Sequence, residues 1–364
     1  MALITVAIPA RDAEAYVRTA VVSVLNNKVD LEVLVFDDAS TDATPKILRE
    51  LSGEDRRVRV ITGSERAGIA GARNSLLQAT AAKYMAPFDA DDIMLPGWLD
   101  YAVAALEAAP DCPGVYGKSR FISAASADLG ITHGSPFSRV NCYQCHPVPH
   151  GGVVVRRDAA AAVGGYMETS LGNDSVLEDF FIWCRFCVYF KMKFLDRYAY
   201  LYRKHAAQVT NKAERFGVCM DYIKNFLLSF RPGISDSLMR GESVAPADNV
   251  ERNAAMLAIG ILSLALPDEH EGNEFLLSQA ATIDPGDYGL YLRWFNHHLA
   301  CRRLPQAKEM AERLLSRFPE ELYVQMLGHR LLEVVCGQGG DERGEREHGA
   351  RHQQLMRQFS QFPS

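Results

Sequence analysis

Carboxylate side chains gather at two places in the sequence, and each place directly follows a short apolar segment. The pair Asp37-Asp38 follows one such segment, and the group Asp89-Ala90-Asp91-Asp92 follows another. Like charges held close together are costly unless a cation or hydrogen-bond donors compensate them. Mg²⁺ and Mn²⁺ prefer oxygen ligands and are often bound by one or two carboxylates together with the phosphates of a substrate. The two groups therefore predict a divalent cation bound beside a phosphorylated substrate.

The first hundred residues alternate strand and helix patterns, and this alternation must position the carboxylates. Short apolar runs typical of buried strands are separated by segments whose apolar residues recur at helical spacing. The β-α-β-α-β-α-β order predicts an α/β fold with a mostly parallel sheet covered by helices on both faces. Such sheets bind ligands at the carboxyl ends of their strands, so both acidic groups are expected at one edge. The predicted strands cover Leu3–Ile8, Leu31–Phe36, Val58–Ile61 and Tyr84–Phe88.

An acidic residue at the end of a strand also has a purely structural interpretation. Asp42 and Asp92, taken singly, are interpreted as helix caps or Asx-turn residues. Asp89 and Asp91 differ from them, because residues two apart on an extended backbone point to the same side. We therefore expect Asp89 and Asp91 to act together as ligands.

Four segments follow one another along the chain: Ile8-Pro9-Ala10-Arg11, Phe36 to Asp42, Ala72-Arg73-Asn74 and Phe88 to Asp92. In this order and at this spacing, they resemble the family 2 glycosyltransferases of GT-A fold. The resemblance runs from about Leu3 to about Thr210, a little over half of the chain, and its specificity comes from the segments taken together. Two departures concern the nucleotide: Ala39 stands where the family usually has Gly, and Ala10 and Asp12 stand where Tyr or Phe and Asn are frequent.

The resemblance implies a role for each matching residue on the donor side. It implies that Asp38 contacts the nucleobase, that Arg73 lies near the nucleotide, and that Asp89 and Asp91 hold the ribose and a divalent metal, Mn²⁺ or Mg²⁺, bridging the diphosphate. The default nucleotide is UDP. The residues expected around the nucleotide sugar are Pro9, Arg11, Asp38, Arg73, Asp89, Asp91 and Glu178.

A later part of the chain supplies the other half of the expected site. The segment Val176 to Trp183 resembles the family's Glu-Asp segment, which implies that Asp179 is the general base and that Glu178 supports the pocket. The alternative is structural, because acidic residues in the first turn of a helix are stabilised by its dipole. His205, in Tyr202-Arg203-Lys204-His205, is expected to complete the metal site with Asp91 and Asp89. His150 is expected to face the acceptor.

The composition is that of a soluble globular protein. Along the chain, alternating strand and helix patterns give way to helical patterns alone. The 364 residues are 48% hydrophobic, and 39 basic against 45 acidic residues give a formal charge of −6, which does not favour a nucleic-acid-binding surface. We expect a GT-A domain over residues 1–212, with a nucleotide-binding half at 1–100 and an acceptor and catalytic half at 101–212. A helical extension over 213–336 contains one tetratricopeptide-like hairpin. A flexible tail follows at 337–364, with one last helix near Gln353 to Phe359 as an open alternative.

Cysteine usage and apolar runs favour a cytoplasmic protein. Nothing before Leu3 resembles a signal peptide, and the longest apolar run, Ala254 to Leu266, is shorter than the roughly 20 residues that span a bilayer. Cys142-Tyr143-Gln144-Cys145-His146 matches a haem-attachment pattern, but that chemistry normally requires export. A zinc site shared with Cys184 and Cys187 is an open alternative.

The resemblance to family 2 implies an inverting, metal-dependent transferase that moves a sugar from a nucleoside diphosphate sugar to an acceptor hydroxyl. The expected acceptor is a glycan, a lipid-linked glycan or a protein, in the synthesis of a surface polysaccharide or glycoconjugate. The alternative is a nucleotide-binding scaffold with a degenerate transferase domain. A homodimer through the helical region and a peripheral contact with the inner face of a membrane are left open.

Overall fold

The chain forms two compact units, and the first one contains the expected site. The structure, a computed structural model, describes residues 2–144, 146–167, 176–206, 208, 213–266 and 270–361, without the side chains of 213–216. Residues 168–175 and Cys145, the second cysteine of the haem-attachment pattern, lie outside these ranges. The first unit comprises Met1–Ser135 and Val148–Ile223, and the second comprises Pro136–Pro147 and Lys224–Ser364.

The four strands predicted near the N-terminus form one side of the sheet in the first unit. They lie in the order β3-β2-β1-β4 and are all parallel. Every residue of β1 is buried, as expected for a central strand covered on both faces. The carboxyl ends of β2 and β4 therefore meet at one edge, where the two acidic groups follow. Their bounds are β1 (Ile4–Ala10), β2 (Leu31–Asp37), β3 (Val58–Thr62) and β4 (Tyr84–Pro87).

The other side of the sheet is mixed, which the sequence pattern did not indicate. Beyond β4 the order continues β8-β6-β9-β5, with β7 attached to β6. Among these strands β6 and β9 are parallel, whereas the pairs β4–β8, β6–β8, β6–β7 and β5–β9 are antiparallel. The α/β class is confirmed. The strands are β5 (Ile93–Met94), β6 (Gly114–Ser123), β7 (Asp128–His133), β8 (Val153–Arg156) and β9 (Lys193–Lys204).

Helices of the first unit pack their apolar stripes against this sheet. In α1, Val17, Ala20, Val21 and Val24 recur at helical spacing and are all buried in the main core. A short 3₁₀ turn at His150–Gly152 precedes β8. The helices are α1 (Val17–Leu25), α2 (Thr44–Glu54), α3 (Gly68–Ala79), α4 (Trp98–Glu107), α5 (Arg157–Ala162) and α6 (Glu178–Tyr189).

The second unit is helical, as predicted, but it extends further than predicted. The tail expected to be flexible from residue 337 instead contains a helix over Glu342–Phe359, whose Leu355 and Phe359 are buried. Its capping residue Asp341 accepts a hydrogen bond from Gly344 N at 3.0 Å, which the glycine-rich composition obscured. After α7 (Ala213–Ser229), the helices are α8 (Pro232–Met239), α9 (Asn249–Leu264), α10 (Glu271–Ile283), α11 (Tyr288–Ala300), α12 (Leu304–Arg317), α13 (Leu322–Gly339) and α14 (Glu342–Phe359). Within the described ranges, no helix has the length and apolarity needed to cross a membrane.

Residues 136–147 belong to the helical unit although they lie within the predicted acceptor half. Asp287, the cap of α11, accepts hydrogen bonds from Ser138 Oγ at 2.5 Å and Arg139 N at 2.7 Å. Two glycines in the helices of the second unit leave the space into which this segment packs. A Cβ on Gly260 would lie 2.2 Å from Val140 O, and a Cβ on Gly289 would lie 2.2 Å from Ser138 Oγ. The segment is therefore part of the core of the second unit.

Candidate functional site

The end of β2 forms the first wall of the candidate site. Asp38 is buried, and its carboxylate accepts hydrogen bonds from Ala67 N at 2.6 Å and Gly68 N at 3.1 Å, at the start of α3. Carboxylates are stabilised at such helix N-termini. Arg11 donates through Nη1 to the carbonyl oxygen of Asp38 at 2.8 Å. Pro9, in β1, lies beside Phe36 of β2, so Pro9, Arg11 and Asp38 lie at the same sheet edge.

Ala39 takes the conformation that glycine usually supplies in this turn. Its φ of +53° lies in the left-handed region, where a Cβ costs roughly 1–2 kcal/mol. The turn is closed by a hydrogen bond from Ser40 N to Asp37 Oδ1 at 3.1 Å. Alanine in place of glycine therefore adds backbone strain to this turn.

The acidic group after β4 divides into three side chains with different partners. Asp89 Oδ1 lies 2.7 Å from Arg73 Nη2, and Asp91 Oδ2 lies 2.8 Å from His205 Nε2. Both carboxylates keep about a quarter of their surface exposed. Asp92 is instead buried and accepts a hydrogen bond from the backbone N of Arg203 at 2.9 Å. This contact is structural, as expected for Asp92, but it reaches the distant strand β9 instead of closing a helix cap or an Asx-turn next to Asp92.

Arg203 holds the loop that carries Asp91. It is buried, and it donates through Nε to the carbonyl oxygen of Asp91 at 2.8 Å and through Nη1 to Ser126 Oγ at 2.8 Å. Its guanidinium also lies over the ring of Tyr16, 4.8 Å from the centroid, and the same ring contacts His205 at 5.0 Å. The charge of Arg203 is therefore committed to the protein rather than directed at a substrate.

Arg73 joins the loop after β4 to the start of α6. Its Nη2 contacts Asp89, and its Nη1 lies 2.7 Å from Glu178 Oε1, with both partners of this second pair buried. The ring of Tyr166 covers the guanidinium, with Cζ 5.5 Å from the ring centroid. Sequence reasoning placed Arg73 near the nucleotide, and the structure adds that it links two acidic segments 89 residues apart in numbering, Asp89 and Glu178.

Burial raises the pKa values of the carboxylates around Arg73. The pKa of Asp89 is raised to about 6, and that of Glu178 to about 7, in each case mainly by burial and opposed by the charge of Arg73. The charge of Asp179 raises both values further. Groups with shifted pKa values often mark functional sites.

Asp179 lies in the first turn of α6, with Oδ1 accepting a hydrogen bond from Phe180 N at 2.7 Å. The helix begins after Leu177, whose φ of +67° turns the chain sharply. Asp179 is partly exposed, whereas its neighbour Glu178 is buried. Asp179 is therefore accessible to solvent, whereas the adjacent Glu178 is buried and paired with Arg73.

His150 lies buried in the first unit, in contact with Trp183 of α6. It is buried, and its Nδ1 accepts a hydrogen bond from Trp183 Nε1 at 3.0 Å. Because Nδ1 is an acceptor, the proton of the neutral ring is on Nε2. Its ring also meets Tyr166 edge-on at 6.0 Å. The sequence alone did not reveal the Trp183 and Tyr166 contacts, since both partners lie far away in the chain.

The side chains after β4 and β9 supply part of the ligand set of a divalent cation. Among the described residues, no group of three or more His, Cys, Asp or Glu side chains converges as a complete metal site. Asp91 and His205 nevertheless bring a carboxylate oxygen and a ring nitrogen together, and Asp89 is partly exposed nearby in the chain. Mg²⁺ commonly takes only one or two protein carboxylates and completes its shell with phosphate and water. The residues therefore fit such an ion when a diphosphate is also bound.

The N-terminal part of the chain is similar to a known protein family. Residues 5–162 match the sequence model described as "Glycosyl transferase family 2". This segment is a family 2 glycosyltransferase domain. The domain is 36% identical over 106 residues to an uncharacterised glycosyltransferase of Haemophilus influenzae, covering 29% of this chain and 33% of the relative. It is 31% identical over 105 residues to an Escherichia coli protein named UDP-Glc:alpha-D-GlcNAc-diphosphoundecaprenol beta-1,3-glucosyltransferase WfgD, covering 29% of this chain and 41% of that one.

The family 2 domain and the helical region together share their fold with a solved structure. The crystal structure of S. aureus TarS 1-349 in complex with UDP-GlcNAc superposes with a TM-score of 0.53 at 15% identity, covering 85% of this chain and 90% of that chain. At this identity the likeness shows the fold. The curated relatives are matched over well under two thirds of their length.

Proposed function

We propose that this chain transfers a sugar from a nucleoside diphosphate sugar to an acceptor hydroxyl with inversion of configuration. The observation that carries the proposal is the position of Arg73, which contacts Asp89 on the donor side and Glu178 at the start of α6. It brings the carboxylates expected to hold the donor to the helix turn that presents Asp179. A structural role for these acids alone would not require the two segments to share a buried cation.

UDP is the nucleotide proposed for the donor. The proposal is supported by the UDP-GlcNAc bound to TarS and by the UDP-Glc in the name of WfgD. In this chain Pro9, Arg11 and Asp38 border the edge where the nucleoside would lie. The carboxylate of Asp38 would accept hydrogen bonds from the base, since an ionised carboxylate has lone pairs beyond the two used by Ala67 and Gly68.

A divalent cation, Mn²⁺ or Mg²⁺, is the proposed cofactor. Asp91 and His205 would hold it, with Asp89 completing the protein side of the site. When bound, the ion would supply positive charge to the diphosphate leaving group.

Asp179 is the proposed general base. Its carboxylate would accept the proton of the acceptor hydroxyl while the acceptor oxygen forms a bond to the anomeric carbon. On the opposite face, the bond from that carbon to the phosphate oxygen would break, and the nucleoside diphosphate would leave with the electron pair. A single displacement of this kind inverts the configuration. Glu178, paired with Arg73, would keep the start of α6 in place.

The acceptor and the setting are proposed more coarsely. A glycan, a lipid-linked glycan or a protein is the proposed acceptor, in the synthesis of a surface polysaccharide or glycoconjugate, as the name of WfgD suggests for that protein. His150 and Tyr166 are proposed to lie on the acceptor side. We further propose a cytoplasmic enzyme that contacts the inner face of a membrane peripherally and dimerises through its helical region.

Calorimetric titration of the full chain with UDP, GDP and dTDP, each with Mn²⁺ and with EDTA, tests the proposal. Metal-dependent binding of one nucleotide, followed by release of that nucleotide when a sugar donor and acceptor are added, is the expected result. A folded sample that binds none of the three would contradict the proposal and favour a degenerate scaffold.

A further inference from the structure

Asn74 makes an unusual pair of contacts across the first unit. Its side-chain Nδ2 donates to the carbonyl oxygen of Tyr166 at 2.6 Å, and its Oδ1 accepts from Tyr166 N at 2.8 Å. One amide therefore binds both backbone groups of a residue that lies 92 positions away. Such a two-point contact fixes orientation as well as distance, because any rotation of the Tyr166 backbone breaks one of the two bonds.

The turn before Tyr166 is shaped to admit this contact. Gly164 and Gly165 have φ values of +85° and +66°, and a Cβ on Gly165 would lie 2.6 Å from Asn74 Oδ1. The carbonyl oxygen of Gly165 also accepts a hydrogen bond from Arg185 of α6. Asn74 of α3 and Arg185 of α6 therefore both hold this turn. Helix α6 is the one that begins with Glu178.

The ring of Tyr166 packs against the charged side chain of Arg73. It covers the guanidinium of Arg73, and both residues are about 95% buried. The flat guanidinium prefers such an aromatic face, and the contact strengthens when water is excluded. Arg73 in turn contacts Asp89 and Glu178. A continuous set of contacts therefore runs from Asn74 through Tyr166 to the shared cation.

We propose that Asn74 is a positioning residue of the site: its amide fixes Tyr166, so that the ring keeps Arg73 dry and in place between Asp89 and Glu178. The role in the reaction rests on the proposed transferase function, whereas the effect on Arg73 does not. Asn74 itself touches neither carboxylate in this arrangement and acts through Tyr166 and Arg73.

Proton exchange at the Arg73 guanidinium measures how well Asn74 and Tyr166 shield Arg73 from water, and it needs no activity assay. In ¹⁵N NMR spectra of the full chain, with Arg73 assigned by Arg73→Lys, its guanidinium protons should exchange slowly with water. Asn74→Ala should speed this exchange at least about tenfold by opening the cover locally. Tyr166→Leu, which keeps the backbone contacts with Asn74 but removes the ring, should do the same, and it serves if Asn74→Ala does not fold. Ser75→Ala, on the same helix with its Oγ bonded only within α3, and Tyr166→Phe should leave the exchange slow. Unchanged protection in Asn74→Ala or in Tyr166→Leu would overturn the proposal.

Kinetics of the same variants test the role in the reaction. Per folded molecule, Asn74→Ala and Tyr166→Leu should lower kcat/KM by about 10- to 100-fold, as a small misplacement of site groups does, while Ser75→Ala stays near the unmodified protein. An Asn74→Ala variant that loses the protection of Arg73 yet keeps full activity would overturn the role in catalysis. If the unmodified protein transfers no sugar from any donor, the proposed function fails, and the exchange measurement still decides whether Asn74 positions Arg73.

Discussion

The guanidinium of Arg73 lies 2.7 Å from the carboxylate of Glu178, and each side chain is more than nine-tenths buried. Burial still outweighs the attraction, so the pKa of Glu178 rises to about 7. The charges that face Glu178 are those of Arg73, Asp179 and Asp89. An acid held in this way makes stability depend on pH.

The first prediction concerns that dependence. The folded protein holds the Glu178 proton more tightly than the unfolded chain, whose ordinary value is 4.5. Protonation of Glu178 therefore adds to the free energy of unfolding. This contribution is complete below about pH 4.5 and is lost as the pH rises through about 7. The free energy of unfolding of the unmodified protein, minus that of Glu178→Gln, should fall across this window by no more than about 3 kcal/mol. Denaturant titrations at several pH values measure it, and a flat difference would refute it.

The second prediction separates chemistry from donor binding. Asp179→Asn should lower the rate of sugar transfer by about 10²- to 10⁴-fold, the usual contribution of a general base, because the amide cannot take the acceptor proton. Nucleotide affinity should change little, since Asp179 is not among the residues proposed to hold the nucleotide. Steady-state kinetics and calorimetry check both parts. Asp158→Asn, in the first turn of α5, is the matched control and should stay active. Retained turnover in Asp179→Asn would remove it as the base.

The third prediction concerns metal dependence. Asp91→Ala and His205→Gln should each weaken nucleotide binding in Mn²⁺ by at least about tenfold, or about 1.4 kcal/mol. In EDTA both variants should bind as the unmodified protein does. The loop itself should persist, because Arg203 binds the backbone oxygen of Asp91 rather than its side chain. Asp128→Ala, whose carboxylate pairs with Arg120 on the surface, is the control. Equal affinity of variants and unmodified protein in Mn²⁺ would argue against these ligands.

The fourth prediction concerns the turn after β2. Ala39→Gly should raise the free energy of unfolding by up to about 1 kcal/mol, because glycine relieves the left-handed strain while adding some freedom to the unfolded chain. Ala104→Gly, on the exposed face of α4, should instead cost about 1 kcal/mol. Thermal unfolding of both variants measures the contrast. A loss of stability in Ala39→Gly equal to that in Ala104→Gly would show that the turn is unstrained.

The fifth prediction concerns residues 136–147. Gly289→Ala should destabilise the second unit by about 1–3 kcal/mol, the usual cost of overpacking, since its Cβ would meet Ser138 Oγ at 2.2 Å. Gly233→Ala, with open space around its Cβ, should be neutral or slightly stabilising. Chemical unfolding followed by tryptophan fluorescence compares them. Equal stability of the two variants would mean that the segment packs less closely than described.

Local patterns predicted the part of the molecule in which sequence neighbours determine the structure. The four parallel strands and the acids at their ends follow from apolar runs and strand order, and the order of the motifs indicated the family. The contacts of Arg73 with Glu178, and of Asn74 with Tyr166, could not be predicted in this way. They join residues about a hundred positions apart, and no periodicity records which distant backbone a polar side chain will meet.

The same limit explains the errors outside the site. The sequence indicates a structural role for Asp92 but not its partner, the backbone N of Arg203, which only the folded sheet brings to it. The C-terminal segment was predicted to be a flexible tail because its glycines and charges hide a helix that packs on α13. The segment at 136–147 carries no sign that Asp287 will bind it.

The contact between Ser138 and Asp287 also has a consequence during synthesis. The two residues are 149 positions apart, so at about 5–20 residues per second a ribosome needs roughly 7–30 s to make the second after the first. Throughout that interval the peptide groups of residues 136–147 have emerged without the carboxylate that receives them. Residues 136–147 therefore cannot take their final packing until the part of the helical unit that contains Asp287 has been synthesised.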